Sequence, residues 1–309
     1  MIQTEKIKQW IQVYGLKNVI LRGIYSRLPV IPVSDNELIR RMNWQLRTKK
    51  RLQKYLIVVD KPVTKENPYP KTIWWLWFQG SESAPLIVKK CLEVARQYAD
   101  EMQYNLMELN KNNLFNYVDL PAQIVDKWKK GIIGNANFSD LCRVALLADY
   151  GGIWMDSTVF MSGPLDKEIR DAELFFFKAS FLDMTITKIS NWFMSANSAG
   201  NLFLYSVRES MIRYWMQNNY VADYFIFHIV VAALSERKEF KEMFDAIPYF
   251  TNTYPQLLGM ELNKSYDEGK FRHIIKCSNI HKLTYKNLEN SLQDSVYQHL
   301  LAWGLEREK

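Results

Sequence analysis

An α/β fold with a mostly parallel sheet flanked by helices is predicted by three features of this 309-residue chain. From about residue 70 onward, short apolar segments of strand length alternate with segments whose apolar residues recur at helical spacing. Hydrophobic residues make up 48% and charged residues 24%, which is enough apolar material for a large buried core. Positive charge is crowded into the first fifth, which sets residues 1–66 apart as a basic helical extension ahead of a main domain at 67–309.

In the extension, Ile7, Trp10, Ile11 and Tyr14 share a helical face, and Leu16, Val19 and Ile20 resume the spacing after Gly15, where a kink or stop is expected. Pro29 and Pro32 interrupt the pattern, and Asp35 is placed to cap a further basic helix reaching about Tyr55. Residues 1–61 hold thirteen lysines and arginines against four acids, a net +9 that leaves −2 for the rest of a chain whose total is +7. Two readings of this arm stand level. It lies on an anionic membrane surface, where each basic residue contributes about 1 kcal/mol, or it packs as a hairpin on the main domain with a solvated basic face. No recognised nucleic-acid-binding motif accompanies the charge, so no nucleic-acid partner is expected.

A proline-rich turn at 61–71 closes the extension. The segment 72–78, TIWWLWF, reads as a buried strand ending at Gln79-Gly80. A helix over 85–97 and a second strand over 104–109 follow. Helices over 121–130 and 138–150 come next, the latter stopped by Gly151-Gly152, and 153–160 reads as a third strand. In such sheets ligands collect at the carboxyl ends of strands. Cys91, Cys142 and Cys277 are far apart and odd in number, so neither a zinc cage nor a disulfide framework is suggested. No signal-peptide pattern and no run of about 18 apolar residues occurs, which predicts a cytoplasmic protein, peripheral on the inner face of the plasma membrane.

The chemistry concentrates in Ser139-Asp140-Leu141-Cys142-Arg143 and in Asp149-Tyr150-Gly151-Gly152-Ile153-Trp154-Met155-Asp156-Ser157-Thr158. Asp140 and Arg143 lie three apart, hence on one helical face. The double glycine lets the chain turn tightly into a strand that delivers Asp156 after three apolar residues. A carboxylate there is unfavourable unless it meets a cation or hydrogen-bond donors. Alone, the first pair reads as a surface ion pair and Asp156 as a turn cap. In this order and spacing they point to one site.

The pattern resembles the capsular polysaccharide synthesis proteins, relatives of glycosyltransferase family 32 and, more remotely, of the large clostridial glucosylating toxins. The resemblance runs over about residues 70–285. It is carried by Lys71-Thr72-Ile73-Trp74 through Gln79-Gly80, by Pro85, Val88-Lys89 and Cys91, by the two segments above, by Ala222-Asp223-Tyr224-Phe225, and by His281-Lys282-Leu283. It implies a GT-A-like, Rossmann-type fold and a glycosyltransferase that moves a hexose from a nucleotide-sugar donor, UDP-linked by analogy, with retention of configuration. The acceptor implied is a lipid-linked oligosaccharide of capsular or cell-surface polysaccharide synthesis. By the resemblance, Trp77 stacks on the nucleobase, Asp140 and Arg143 bind the donor sugar, and Asn191 and Ser195 lie on the strand beneath it. Lys282 and His281 meet the diphosphate. Asp156 takes the first position of an Asp-x-Asp motif, near ribose and a divalent cation, Mn²⁺ or Mg²⁺, with His281 as second metal ligand. The second aspartate of that motif is Thr158 here, a poor substitute for a carboxylate. Asp223 opens an apolar run and reads either as a helix N-cap or as the acceptor-side group that orients or deprotonates the attacking hydroxyl. His228 reads as a semi-buried structural histidine. The competing reading is a non-catalytic scaffold of a membrane-associated assembly.

Overall fold

The computed structural model describes residues 2–27, 36–61, 68–179, 186–288 and 293–304. The basic arm forms α1 (Ile2–Tyr14), α2 (Leu16–Arg27) and α3 (Asn36–Leu52). Gly15 separates the first two with a left-handed φ of 76°, the break its position in the sequence suggested. Asp35, expected to cap the third helix, lies outside the described residues, as does most of the proline-rich turn.

The main body then runs β1 (Thr72–Leu76), α4 (Leu86–Glu101), β2 (Asn105–Leu109), α5 (Ala122–Lys129), α6 (Asn135–Tyr150), β3 (Gly152–Asp156), β4 (Val159–Met161), α7 (Lys167–Asp171), β5 (Leu174–Lys178) and β6 (Ile189–Ala196). It continues through α8 (Leu202–Gln217), α9 (Ile226–Leu234), α10 (Lys241–Asp245), α11 (Thr253–Glu261), α12 (Glu268–Cys277), β7 (Ile280–Lys282) and α13 (Val296–Leu301).

The mostly parallel Rossmann-type, GT-A-like sheet expected from the sequence is corrected here. The chain is mainly helical, 53% helix against 14% strand, and its sheets are small and mixed. The larger has the order β2-β1-β3-β6-β5. β1 is parallel to β2 and β3, whereas β6 is antiparallel to both β3 and β5. The second sheet is the antiparallel pair β4–β7. The single strand expected over 153–160 is two strands in different sheets, because Ser157 and Thr158 turn between them.

Both faces of the larger sheet are buried, which explains the unbroken apolar run of β1. Trp74, Trp154, Phe176 and Met194 face the core shared with α6, α8 and α9. Ile73, Trp75, Ile153 and Phe193 face the core shared with α4, α11, α12 and the small sheet. The turn from α6 into β3 has no room for side chains. Gly152 has φ 87°, and a Cβ there would stand 2.3 Å from the Thr72 carbonyl oxygen. Trp74 Nε1 donates to the Gly151 carbonyl at 2.9 Å and locks the turn to β1. This turn aims Asp156 at the carboxyl edge of the sheet.

The arm is joined to the body through α3, which packs on α9 and buries Trp44, Thr48 and Leu52. Val221 N–H donates to the Val13 carbonyl at 2.9 Å. The outer faces of α1 and α2 stay in solvent, with Ile7, Trp10, Leu16, Ile20 and Ile24 each about half exposed. No described helix is long and apolar enough to cross a membrane.

Candidate functional site

The parallel strands β1 and β3 end side by side, and the chain leaves β1 towards β2 on one side before returning to β3 on the other. Such a switch point opens a crevice at the strand ends. Here it holds a cavity of about 650 Å³, within the range of small-molecule sites. Trp77, Asp140, Arg143, Asp156, Asn191 and Lys282 all line it.

Arg143, buried on α6, is the hub. Its Nη1 donates to the Asn191 carbonyl at 2.5 Å, its Nη2 to Ser139 Oγ at 3.0 Å, and the guanidinium lies 4.9 Å from the Trp154 ring centroid. The same Nη2 stands 3.4 Å from Asp140 Oδ1 and 3.3 Å from Asp156 Oδ1. The i,i+3 pair is therefore not a surface pair but the buried floor of the cavity. Asn191 Nδ2 completes it by donating to Asp140 Oδ1 at 2.7 Å.

Asp156 meets donors on both oxygens. Oδ1 accepts from Trp154 Nε1 at 2.9 Å, and Oδ2 from Lys282 Nζ at 2.7 Å. Lys282 Nζ also donates to Thr158 Oγ1 at 2.7 Å, so its ammonium bridges the two residues that flank Ser157. The two carboxylates are driven apart electrostatically. Burial pushes Asp140 up to about 7, with Arg143 opposing and Asp156 reinforcing the rise. Burial also disfavours the charged form of Asp156, but Lys282 and Arg143 outweigh it and hold the group below the usual carboxylate range. With Asp140 protonated, the cluster of two cations and one anion keeps one net positive charge.

Over residues 30–300 the sequence matches the family described as capsular polysaccharide synthesis protein. The chain belongs to that family. No curated protein matches it. Membership ties the chain to capsular or cell-surface polysaccharide synthesis.

In this capsular polysaccharide synthesis protein, three residues proposed from the sequence lie outside the main cavity. His281 sits on β7 beside Lys282, and strand alternation sends the two side chains to opposite faces. Lys282 reaches the cavity, whereas His281 is fully buried with Nε2 2.9 Å from Ser162 Oγ, and burial pushes its pKa down to about 4. Asp223 is buried as well. Its Oδ1 accepts the Phe225 N–H at 2.8 Å, and it lines a separate, smaller cavity against the arm. Ser195 lies further along β6, buried beside the turn at Gly152 and outside the main cavity.

The expected divalent cation held by Asp156 and His281 is also corrected. The described residues contain no group of three or more His, Cys, Asp or Glu side chains able to hold an ion. The donor set explains this: both Asp156 oxygens are engaged by fixed donors, Thr158 accepts from the same lysine, and His281 faces the other core.

Conversely, Tyr224, in the turn before α9, and His228, in its first turn, line the cavity, and Tyr285 packs edge-on to Trp77 with ring centroids 5.4 Å apart. The His228 Nδ1 and the Trp77 Nε1 are buried without hydrogen-bond partners, so both can serve a ligand. Burial and then the nearby Arg143 push the His228 pKa down to about 3, so the ring is neutral. Tyr224 lies in the turn before α9, so no helical periodicity marks the pair, and apolar residues surround both in the sequence.

The raised pKa of Asp140 makes a stability prediction. The folded state holds this proton more tightly than the unfolded chain, so its contribution is complete below the unfolded value near 3.8 and is lost as pH rises through about 7. The stability advantage of Asp140→Asn over the wild type should therefore widen from pH 4 to 7 and level off above. Urea unfolding at stepped pH measures this, and a constant gap across that window contradicts it.

Proposed function

We propose that the protein is a glycosyltransferase that moves a hexose from a nucleotide-sugar donor, most simply a UDP-sugar, to a lipid-linked oligosaccharide in capsular or cell-surface polysaccharide synthesis. The observation that carries this reading is the convergence of Trp77, Asp140, Arg143, Asp156 and Lys282 on one cavity at the ends of β1 and β3. Trp77, with Tyr285 edge-on to it, offers an aromatic corner for a base, and Lys282 and Arg143 offer charge for a diphosphate. Asp140 and Asn191 offer hydrogen bonds to sugar hydroxyls. Membership of the capsular polysaccharide synthesis family is compatible with this division.

In the reaction, the bond between the anomeric carbon and the diphosphate oxygen breaks, and its electron pair leaves with the diphosphate. The acceptor oxygen forms the new bond and gives up its proton. Lys282 uses two of its three donors on Asp156 and Thr158, which fixes the ammonium and leaves one donor for the departing phosphate oxygen. Asp156 is a positioning residue that holds both cations. Asp140, ionised above about pH 7, is the cavity group able to receive the hydroxyl proton.

The test is release of nucleoside diphosphate from a panel of UDP-, GDP- and dTDP-hexoses. The expected result is turnover with at least one donor and a loss of about a hundredfold in Asp156→Asn. Absence of turnover and of binding with every donor would favour the scaffold reading instead.

A further inference from the structure

The second cavity, of about 270 Å³, lies where the arm meets the body. Arg22 of α2 and Arg40 and Arg41 of α3 border it, against Glu37 and Asp223. Gln45 of α3 also lines it. This side chain is fully buried, and neither its Nε2 nor its Oε1 has a hydrogen-bond partner. A buried amide left unsatisfied at both ends is unfavourable and marks a place built for a ligand. A phosphate oxygen suits the donor end, and a hydroxyl suits the acceptor end. Three arginines stand here against two carboxylates, and burial raises the Asp223 pKa, with the Phe225 N–H, Arg22 and Arg41 among the influences opposing the rise.

This cavity adjoins two others. Tyr224 and Phe225 border both it and the main cavity. Arg22 and Trp44 border both it and a groove of about 560 Å³ whose walls include Ile7, Trp10, Tyr14 and Val19. In order, an apolar groove adjoins a cationic chamber with an orphaned amide, and that chamber adjoins the cavity proposed for sugar transfer. An amphiphile with an apolar chain, a phosphate and a saccharide carries its groups in the same order.

We propose that the arm and α9 form the binding site for a lipid-phosphate-linked saccharide acceptor. Its apolar chain lies in the groove between α1, α2 and α3. Its phosphate meets Arg22, Arg40, Arg41 and Gln45, and its glycan passes Tyr224 towards the donor. The assignment rests on the transferase reading for the last of these steps only. It gives the arm a specific ligand rather than general adhesion to an anionic surface.

Farnesyl phosphate serves as the probe, with farnesol and inorganic phosphate as its halves, titrated calorimetrically into the full chain beside UDP. Farnesyl phosphate should bind about tenfold or more tighter than either half. Gln45→Leu removes the orphaned amide without opening a void, so the fold is kept or stabilised. It should weaken farnesyl phosphate about tenfold, as expected for a hydrogen bond to a charged group, and leave UDP unaffected. Arg40→Gln should act in the same direction. Equal affinity for farnesyl phosphate and farnesol, or no effect of Gln45→Leu, would overturn the site. So would full competition by phosphatidylglycerol vesicles, which would mark a surface that reads charge alone. UDP binding without lipid-phosphate binding removes this inference and leaves the transferase. Lipid-phosphate binding without any nucleotide does the reverse.

Discussion

Lys282→Ala lowers sugar transfer by about 10²–10³-fold, the range seen when one fixed donor to a developing negative charge is removed. Lys282 is the cation expected to face the leaving diphosphate, and its position is set from two sides, by Asp156 Oδ2 and Thr158 Oγ1 at 2.7 Å each. A flexible lysine in water would contribute far less, because ordering it during reaction would consume much of the gain. The variant also leaves Asp156 with Arg143 as its one cation among the described ion pairs. The Asp156 pKa, now held low chiefly by Lys282 against burial, should rise. Lys282→Arg restores charge but not the compact bridge between Asp156 and Thr158, so recovery should be partial. Steady-state rates with the best donor measure both variants. Full activity in Lys282→Ala would remove this residue from the chemistry.

Arg143→Met has the largest expected effect on the fold, about 3–5 kcal/mol of unfolding free energy, because breaking a buried ion pair strands its partner. Arg143 serves Asp140, Asp156, Ser139 and Asn191 at once, and methionine fills only its stem. Asp140 suffers most, since burial already drives its pKa up to about 7 with Arg143 as the first opposing influence. Adding Asp140→Asn to Arg143→Met should therefore recover part of the loss, a coupling that denaturant unfolding of the four variants reads directly. Additive effects would show that the pair does not interact. Neither variant should transfer sugar at the wild-type rate.

The site was legible wherever local rules place side chains. Helical spacing alone puts Asp140 and Arg143 on one face, and the double glycine alone announces a tight turn ahead of Asp156. Lys282 was harder. It reaches Asp156 across 126 residues, and in the pair His281-Lys282 the sequence does not reveal which member faces the cavity. Strand alternation settles that one points in and the other out, but the assignment depends on pairing with β4. The metal expectation failed for the same reason: a lone carboxylate at a strand end asks for a cation, and the cation that answers comes from a distant strand. In the fold, the helices of the first half were readable from their periodicity. Strand direction was not, because β5 and β6 have the same buried apolar texture whether parallel or antiparallel. The apolar stretch ending at Phe160 hid the change of sheet at Ser157, since both halves are buried. Asp223 carried a true boundary signal, but the cavity it lines is made with α3, far away in sequence.

A crystal structure with UDP at saturating concentration decides whether the cavity at the ends of β1 and β3 is a nucleotide-sugar site. The base is expected against Trp77 and Tyr285, and the diphosphate within hydrogen-bond distance of Lys282 Nζ, at the ends of β1 and β3. A nucleotide bound away from that cavity, or a cavity that UDP does not enter, would contradict that assignment.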